Sequence, residues 1–290
     1  MKKPLFTGAC TALVTPFLGD QVNYPMMEQL LRRQIDAGIE AVVLCGTTGE
    51  SPTLSDTEKL EIFTRAKRYV GSSCKIIAGT GSNSTAHTVQ LSKAAEACGV
   101  DGLLVVTPYY NKATPDGLLT HYAAVAQAVD IPLIVYNVPT RTGVDIPISV
   151  YHQLRHIPNI NGVKESSGDI VKSTKILRSC EDELALWSGN DDMIVPMMSL
   201  GAKGVISVLS NVLPAETQIL CRAALAGDFV TAAALQIEFQ PLIEALFSEV
   251  NPIPVKEAMK IIGFDCGGCR LPLSPMGETN RNRIREILMT

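Results

Sequence analysis

The stretch GLLVVTPYYNKATPDGLLTHYAAVAQAVDIPLIVY (residues 102–136) decides the fold, because it predicts a strand, a helix and a second strand in succession. Residues 102–106 and 132–136 are rich in Val, Ile and Leu, as expected of parallel strands that are covered on both faces. Between them, Thr114 and Pro115 supply an N-cap and a first-turn proline. One apolar helix face follows, formed by Leu118, Tyr122, Val125, Ala126 and Val129.

The same alternation occurs along most of the chain. Eight strands are predicted, at residues 8–14, 41–45, 75–78, 102–106, 132–136, 161–164, 185–187 and 204–208. Eight strands alternating with helices predict a (β/α)8 barrel, which usually takes ~250 residues. An open doubly wound sheet is the alternative, but it would usually carry a glycine-rich dinucleotide turn after its first strand, and residues 8–16 contain none.

Beyond residue 211 the sequence predicts helices only. They span residues 214–226, 229–247, 254–262 and 278–289. We therefore expect an α/β protein, with a TIM barrel at residues 1–225 that carries the active site and a C-terminal helical region at residues 226–290.

Composition excludes several classes of protein. The chain has 290 residues, of which 46% are hydrophobic and 19% charged, so it can bury a large core. A net charge of -4 without a basic cluster does not favour nucleic acid or an anionic membrane as a partner. The apolar runs are too short to cross a bilayer, and no secretion signal is recognisable. We expect a cytoplasmic protein.

Cysteine and histidine usage does not favour a metal site. Cys266 and Cys269 form a single C-x-x-C in a glycine-rich loop, but no second ligand pair follows, and their role is left open. Four other cysteines lie in or beside apolar segments and resemble small buried hydrophobes: Cys10, Cys45, Cys74 and Cys98. No histidine ends a predicted strand, which disfavours a metal-dependent barrel hydrolase.

A barrel places its chemistry just beyond the carboxyl ends of its strands. Polar clusters follow the predicted strands at this end: residues 46–51, 79–83, 107–111, 136–143, 188–191 and 207–211. The 79–83 loop could also cradle a phosphate, although the glycine pair that barrels often use after the last two strands is missing. One rim of the barrel therefore collects hydroxyl groups, an arginine and a lysine.

Lys164 ends the sixth predicted strand, in the segment INGVKES (residues 160–166). A buried lysine is rare unless it is paired, because its ammonium group loses hydration. Desolvation favours the neutral amine, which can attack a carbonyl and form an imine. The alternatives are a side chain that reaches solvent and one that pairs with Glu165.

Other rim residues suit a small keto acid. Thr47 and Thr48 can offer hydroxyl and backbone N–H groups to a carboxylate, or they only stabilise a tight turn. Tyr136 can move protons to and from a carbonyl oxygen, or it packs as a core tyrosine. Arg141 can bind a second carboxylate in a bidentate manner, or it faces solvent.

Four segments, CGTTGES, TPYYN, YNVPTRTG and GVKESSGD, resemble the dihydrodipicolinate synthase and N-acetylneuraminate lyase family of pyruvate-dependent class I lyases. The likeness covers essentially the whole chain. Within the family, the double threonine, the paired tyrosines and the PTRTG arginine resemble members that condense pyruvate with L-aspartate 4-semialdehyde on the diaminopimelate route to lysine. The resemblance implies an imine mechanism that uses no cofactor or metal.

Two other functions stay open at this point. A sister lyase acting on N-acetylneuraminate or a 2-keto-3-deoxy sugar acid would share the lysine and the tyrosine, but Arg141 and the Thr47, Thr48 pair argue against it. A non-catalytic binding or regulatory barrel is the remote alternative, and the intact lysine, tyrosine and arginine argue against it.

The resemblance also implies roles for catalytic residues. Lys164 forms the imine with pyruvate, while Tyr136, Thr47 and Tyr110 pass protons as a relay. In this family the residue matching Tyr110 enters the active site of a neighbouring subunit. The resemblance therefore implies a homo-oligomer, either a dimer or a dimer of dimers.

Substrate-binding roles follow from the same resemblance. Thr48 holds the carboxylate of pyruvate, and Arg141 holds the carboxylate of the semialdehyde. Gly189 and Ile206 match pocket backbone positions next to pyruvate.

A possible effector pocket completes the expectations. Lysine-inhibited relatives line this pocket with two histidines and a glutamate, and this chain has Asp56, Lys59 and His87 at the matching places. The other matching residues are Ser51, Asn83 and Tyr109. A cation at position 59 repels the lysine ammonium, so we expect weak or absent feedback by lysine.

Overall fold

Eight parallel strands close into a barrel in the computed structural model, which describes residues 2–289. The strands are β1 (Gly8–Ala12), β2 (Phe17–Leu18), β3 (Gln21–Val22), β4 (Ala41–Leu44), β5 (Lys75–Gly79), β6 (Gly102–Val106), β7 (Leu133–Asn137), β8 (Ile160–Glu165), β9 (Ala185–Ser188) and β10 (Gly204–Ser207). All but β2 and β3 belong to the barrel, and β1 closes it by pairing with both β10 and β4.

Helices surround the barrel and continue beyond it. They are α1 (Tyr24–Asp36), α2 (Asp56–Val70), α3 (Thr85–Ala97), α4 (Pro115–Gln127), α5 (Pro139–Thr142), α6 (Ile148–Leu154), α7 (Ile170–Cys180), α8 (Ile194–Ser199), α9 (Pro214–Leu225), α10 (Phe229–Leu246), α11 (Ile253–Ile261) and α12 (Glu278–Met289). Short 3-10 turns lie at Ser51–Thr53, Asp191–Met193 and Leu209–Asn211. Within the described residues, no helix combines the length and apolar character that a bilayer crossing needs.

The predicted TIM barrel is confirmed. Each predicted strand coincides with a barrel strand to within two residues at either end. The Thr114 side chain caps α4 by accepting from the Gly117 N–H group, with Pro115 in the first turn. The short β2–β3 hairpin was not predicted, because two residues per strand are too few to show an alternating pattern.

The amino end of the barrel is closed by residues that precede β1. Phe6 stacks on Trp187 of β9, with ring centroids 4.8 Å apart, and both side chains are buried. Asn161 of β8 accepts a hydrogen bond from the Leu5 N–H group (2.9 Å) and donates one to the Lys3 carbonyl (2.9 Å). The N-terminal segment thus seals this end with both apolar and hydrogen-bonding contacts.

The C-terminal helices extend towards the opposite end. Helix α9 packs against β1, and α10 packs against both α9 and α12. The predicted helices are confirmed to within one residue at either end: the predictions for residues 214–226 and 229–247 end at Leu225 and Leu246, and the one for residues 254–262 corresponds to Ile253–Ile261. The division into a barrel at residues 1–225 and a helical region at residues 226–290 stays a prediction.

Candidate active site

A cavity of about 410 Å³ opens at the carboxyl ends of the strands. Its lining includes six of the eight residues predicted for catalysis and substrate binding. These six residues are Thr47, Thr48, Tyr136, Arg141, Lys164 and Gly189. The location is the one expected for the active site of a TIM barrel.

Lys164 lies near the end of β8 with only 6% of its surface exposed. It pairs in register with Tyr136 of β7, and its Nζ atom lies 4.3 Å from the centroid of the tyrosine ring. Glu165 points away, and its carboxylate accepts hydrogen bonds from Asn137 Nδ2 (3.0 Å) and the Ser167 N–H group (2.7 Å). The two alternatives for Lys164, solvent exposure and pairing with Glu165, are therefore both wrong.

The loop that carries the two threonines is held from the C-terminal region. Asn251 Nδ2 donates a hydrogen bond to Thr48 Oγ1 (2.9 Å), and both residues are buried. Two residues further along, Glu50 adopts a left-handed conformation (φ 55°) and forms a buried ion pair with Lys256 (2.6 Å). The Arg270 N–H group also donates to the Glu50 carboxylate (2.8 Å). Contacts more than 200 residues apart in sequence thus fix the threonine loop.

Gly189 allows the backbone of β9 to approach Lys164 closely. A Cβ atom at this position would stand 2.9 Å from Lys164 Cε and 1.8 Å from Ser166 Oγ. Its N–H group donates to the Glu165 carbonyl (2.8 Å). No side chain fits between the two strands at this point.

Asp191 is a fully buried carboxylic acid in the same cavity wall. Its Oδ2 atom accepts from the backbone N–H groups of Val208 (3.0 Å) and Leu209 (2.9 Å), which follow β10. Burial raises the pKa of Asp191, and these hydrogen bonds oppose the shift. Asp191 therefore fixes the chain immediately after β10. The buried Ile206 lies in this strand.

Arg141 and Tyr110 are both exposed, but they differ in position. Arg141 lies on the short helix α5 and lines the cavity. Tyr110 has 89% of its surface exposed and a left-handed backbone (φ 73°), and it does not line this cavity. The structure of one chain therefore brings Arg141, but not Tyr110, to the lysine.

A second cavity, of about 650 Å³, adjoins the first and shares Thr47, Tyr136 and Arg141 with it. The six residues predicted for an effector pocket all line it: Ser51, Asp56, Lys59, Asn83, His87 and Tyr109. The Asp56 carboxylate lies 2.8 Å from His87 Nε2 and 3.7 Å from Lys59 Nζ.

A model of the dihydrodipicolinate synthetase family matches residues 5–290 of the sequence. The chain belongs to this family. A 4-hydroxy-tetrahydrodipicolinate synthase of Thermoanaerobacter sp. is 44% identical to it over 286 residues, which make up 98% of this chain and 96% of the relative.

Solved structures of family members have the same fold. The dihydrodipicolinate synthase of Aquifex aeolicus superposes with a TM-score of 0.96 at 43% identity, covering 98% of this chain and 97% of that one. A chloride-inhibited dihydrodipicolinate synthase from Acinetobacter baumannii, complexed with pyruvate, gives a TM-score of 0.96 at 41% identity, with 98% of each chain covered.

The cysteines of this family member are free thiols in the structure. Burial raises the pKa of Cys266 to about 12 and that of Cys269 to about 11. Burial therefore favours the neutral thiol form of both cysteines. Across residues 2–289, no group of three or more His, Cys, Asp and Glu side chains is arranged to hold a metal ion.

Several residues of the site were not singled out from the sequence. Asn251 and Lys256 lie near or on α11, and no motif marks them. Asp191 and Ser166 lie in the clusters that were quoted, but nothing in the sequence distinguished them from their neighbours. The family resemblance identified the residues around the lysine, whereas the fold identifies the side chains that hold them.

Proposed function

We propose that this chain is a Schiff-base-forming lyase that condenses pyruvate with L-aspartate 4-semialdehyde to 4-hydroxy-tetrahydrodipicolinate, the first step of the diaminopimelate route to lysine. The observation that carries the proposal is the position of Lys164, buried in the barrel mouth and 4.3 Å from the Tyr136 ring. The name of the Thermoanaerobacter relative and the pyruvate complex of the Acinetobacter enzyme support the same reaction.

Pyruvate binds first and becomes attached to the enzyme. The Lys164 amine attacks the keto carbon, a C–N bond forms, and the keto oxygen leaves as water, with protons moved by Tyr136, Thr47 and Tyr110. Thr48 Oγ1 already accepts a hydrogen bond from Asn251, so its own O–H group is left to donate to the pyruvate carboxylate. Gly189 and Ile206 provide backbone next to the bound pyruvate.

The protonated imine then withdraws electrons from the pyruvate methyl group. A proton leaves, and the resulting enamine carbon attacks the aldehyde carbon of the semialdehyde. Arg141 holds the semialdehyde carboxylate and so orients the aldehyde for attack. The amino group of the semialdehyde finally displaces Lys164 from the imine, which closes the ring and frees the lysine.

We include a homo-oligomer, a dimer or a dimer of dimers, in this proposal. Tyr110 is 89% exposed and follows the carboxyl end of β6, so its phenol is free to enter the site of a neighbouring copy. A cytoplasmic location also belongs to the proposal. The free thiols support it, because the cysteines of cytoplasmic proteins are kept reduced.

The second cavity is proposed as an effector pocket that discriminates against lysine. Lys59 is 7% exposed and brings a positive charge to the wall, while the Asp56 carboxylate is shared between His87 and Lys59 and is not free for a ligand cation. The ammonium group of a lysine ligand would meet a like charge there. We expect that millimolar L-lysine leaves turnover nearly unchanged in a coupled assay, and inhibition at micromolar L-lysine would contradict this assignment.

Reductive trapping tests the proposed chemistry directly. Borohydride added with pyruvate should attach one reduced pyruvyl group to Lys164, detected by peptide mass spectrometry, and no adduct would refute the imine. Lys172→Ala provides a matched control, because Lys172 is also a buried lysine but pairs with Asp145 outside the cavity. This variant should still be trapped.

The acceptor is tested separately. An imine with pyruvate is compatible with several aldehyde acceptors. Enzyme that has not been treated with borohydride is therefore assayed with pyruvate plus L-aspartate 4-semialdehyde, and also for cleavage of N-acetylneuraminate and 2-keto-3-deoxy sugar acids. We expect turnover of pyruvate with the semialdehyde and no cleavage of the sugar acids. Faster turnover of a sugar acid would assign the chain to a sister lyase.

A further inference from the structure

Three acidic residues line the catalytic cavity, and the fold already uses two of them. Asp191 is buried, and its Oδ2 atom accepts hydrogen bonds from two backbone N–H groups that follow β10. Glu244 of α10 forms an ion pair with Arg283 (3.2 Å), and its other carboxylate oxygen accepts a hydrogen bond from Gln240 (3.3 Å). Neither carboxylate is free to bind the cation of a ligand.

Asp192 is the third acidic residue of the cavity wall. It lies in the 3-10 turn Asp191–Met193, which follows β9, and it is exposed. Within residues 2–289, no hydrogen bond or ion pair involves its carboxylate. The carboxylate of Asp192 is therefore accessible at the mouth of the cavity and available to a positively charged group.

The order of the strands places Asp192 and Arg141 on opposite sides of the lysine. Strands β7, β8 and β9 are neighbours in the barrel. Arg141 follows β7, Lys164 lies near the end of β8, and Asp192 follows β9, and all three residues line one cavity. Since adjacent strands lie about 4.8 Å apart, the two loops that carry the arginine and the aspartate leave strands about 10 Å apart. A cation and an anion thus flank the reactive amine.

The acceptor of the proposed reaction carries two opposite charges. L-aspartate 4-semialdehyde has a carboxylate and an ammonium group on the same carbon atom. Arg141 is assigned to the carboxylate, and the ammonium group has no partner yet. The cavity wall already contains the basic side chains of Lys164 and Arg141, so an ammonium group without an anion beside it would be repelled.

We propose that Asp192 is a specificity-determining residue that binds the ammonium group of the acceptor. This assignment rests on the proposed function. With its two charged groups held by Arg141 and Asp192, the acceptor keeps its aldehyde carbon turned towards the enamine on Lys164. No bond forms or breaks at Asp192. Aldehydes without an ammonium group gain nothing from this carboxylate, so Asp192 selects for the amino-aldehyde.

The test compares two acceptors in the variant Asp192→Asn. Succinate semialdehyde is L-aspartate 4-semialdehyde with a hydrogen atom in place of the ammonium group. We expect kcat/KM for L-aspartate 4-semialdehyde to fall about tenfold, as when one charge-assisted hydrogen bond is lost. The inhibition constant of succinate semialdehyde as a competitor should stay within about twofold of the wild type. The same holds for the KM of pyruvate and for borohydride trapping.

Glu244→Gln provides the matched control, because Glu244 is an acidic residue of the same cavity wall that is already paired. It removes the same amount of charge from the wall and should leave the kinetics within about twofold of the wild type. Asp192→Glu keeps the carboxylate and should retain most of the preference for the amino-aldehyde. If Asp192→Asn does not fold, Asp192→Ser gives a second neutral variant.

Two results would overturn the role of Asp192. Unchanged kcat/KM for L-aspartate 4-semialdehyde would show that the carboxylate only faces solvent, and an equal weakening of both aldehydes would show that it shapes the cavity without contacting the ammonium group. Failure of the proposed function is seen in the wild type, which would then trap pyruvate without turning over L-aspartate 4-semialdehyde. The role of Asp192 would fall with it, because the site would have no ammonium acceptor to bind.

Discussion

The two ends of the barrel use the same residue types in opposite ways. At the amino end, the Lys2 ammonium group donates to three carbonyls, those of Arg155 (2.8 Å), Ile157 (2.6 Å) and Ile160 (2.9 Å). At the carboxyl end, Lys164 is more deeply buried and its nearest described partner is the face of Tyr136. The Lys2 amine is used in hydrogen bonds that stabilise the fold, whereas the Lys164 amine is not.

Strand β8 contains this contrast within six residues. Asn161, near its start, satisfies both hydrogen-bonding groups of its amide against the N-terminal segment. At the other end, Lys164 Nζ lies against the face of the Tyr136 ring, and Ser166 Oγ has no hydrogen-bond partner among the described residues. Polar groups that are already paired stabilise the fold, whereas unpaired ones at the mouth are available to a ligand. Substitutions at the two ends should therefore separate activity from stability.

The largest effect is expected for Lys164→Ala. Without the amine no imine forms, so kcat should fall by at least about 10³-fold. The melting temperature should change little, because no ion pair or hydrogen bond is lost. A coupled assay and a thermal melt on the same preparation check both statements. A variant that is active, or one that is unfolded, would break the contrast between the two ends.

Arg141→Ala should give the next largest effect, confined to the second substrate. Loss of a charge-assisted hydrogen bond should lower kcat/KM for the semialdehyde about 10- to 100-fold. Trapping of pyruvate should persist, since the lysine is untouched. Steady-state kinetics with each substrate varied in turn provide the measurement, and unchanged synthase kinetics would count against the role of the arginine.

Asn161→Ala should produce the reverse pattern at the amino end. The buried Leu5 N–H group loses its acceptor, which should lower the free energy of unfolding by about 1–3 kcal/mol. Turnover at low temperature should stay within about twofold of the wild type. Urea unfolding at a fixed protein concentration measures the loss. A large fall in kcat without a change in stability would contradict the division between the ends.

The smallest effect concerns a charged pair that lies near the mouth but serves the fold. The Arg270 guanidinium donates to both carboxylate oxygens of Glu58 (2.5 and 3.0 Å), and these hydrogen bonds lower the pKa of Glu58 from 4.5 to about 2. A lowered pKa in the folded state means that the pair stabilises the protein above pH 4.5 and that this contribution disappears as the pH falls towards 2.

Glu58→Gln should accordingly cost about 1 kcal/mol of stability at pH 7, since solvent screens the pair. The difference from the wild type should shrink between pH 5 and pH 3. Urea unfolding of both proteins across this range is the measurement. An equal loss at every pH would show that the charge of Glu58 contributes nothing.

The fold was largely predictable because its signals are local. Apolar runs rich in Val, Ile and Leu marked most of the barrel strands, although β1 itself (GACTA) contains none of these three residues, and caps such as Thr114 marked helix starts. Lys164 and Tyr136 were predictable as site residues because a barrel rim collects strand ends. Their neighbours in space were less accessible, since Asn251 reaches Thr48 across 203 positions of sequence and carries no motif. The unpartnered state of Ser166 depends on what surrounds it in three dimensions, which no sequence pattern reports.

The glycine between β9 and the lysine strand makes two positions dependent on each other. A would-be Gly189 Cβ stands 1.8 Å from Ser166 Oγ and 2.9 Å from Lys164 Cε, so an alanine at residue 189 would displace both side chains. Loss of the Ser166 side chain alone does not make room at residue 189, because Lys164 still lies in the way. A laboratory evolution experiment on this site should therefore keep Gly189, because a side chain at that position would move the lysine.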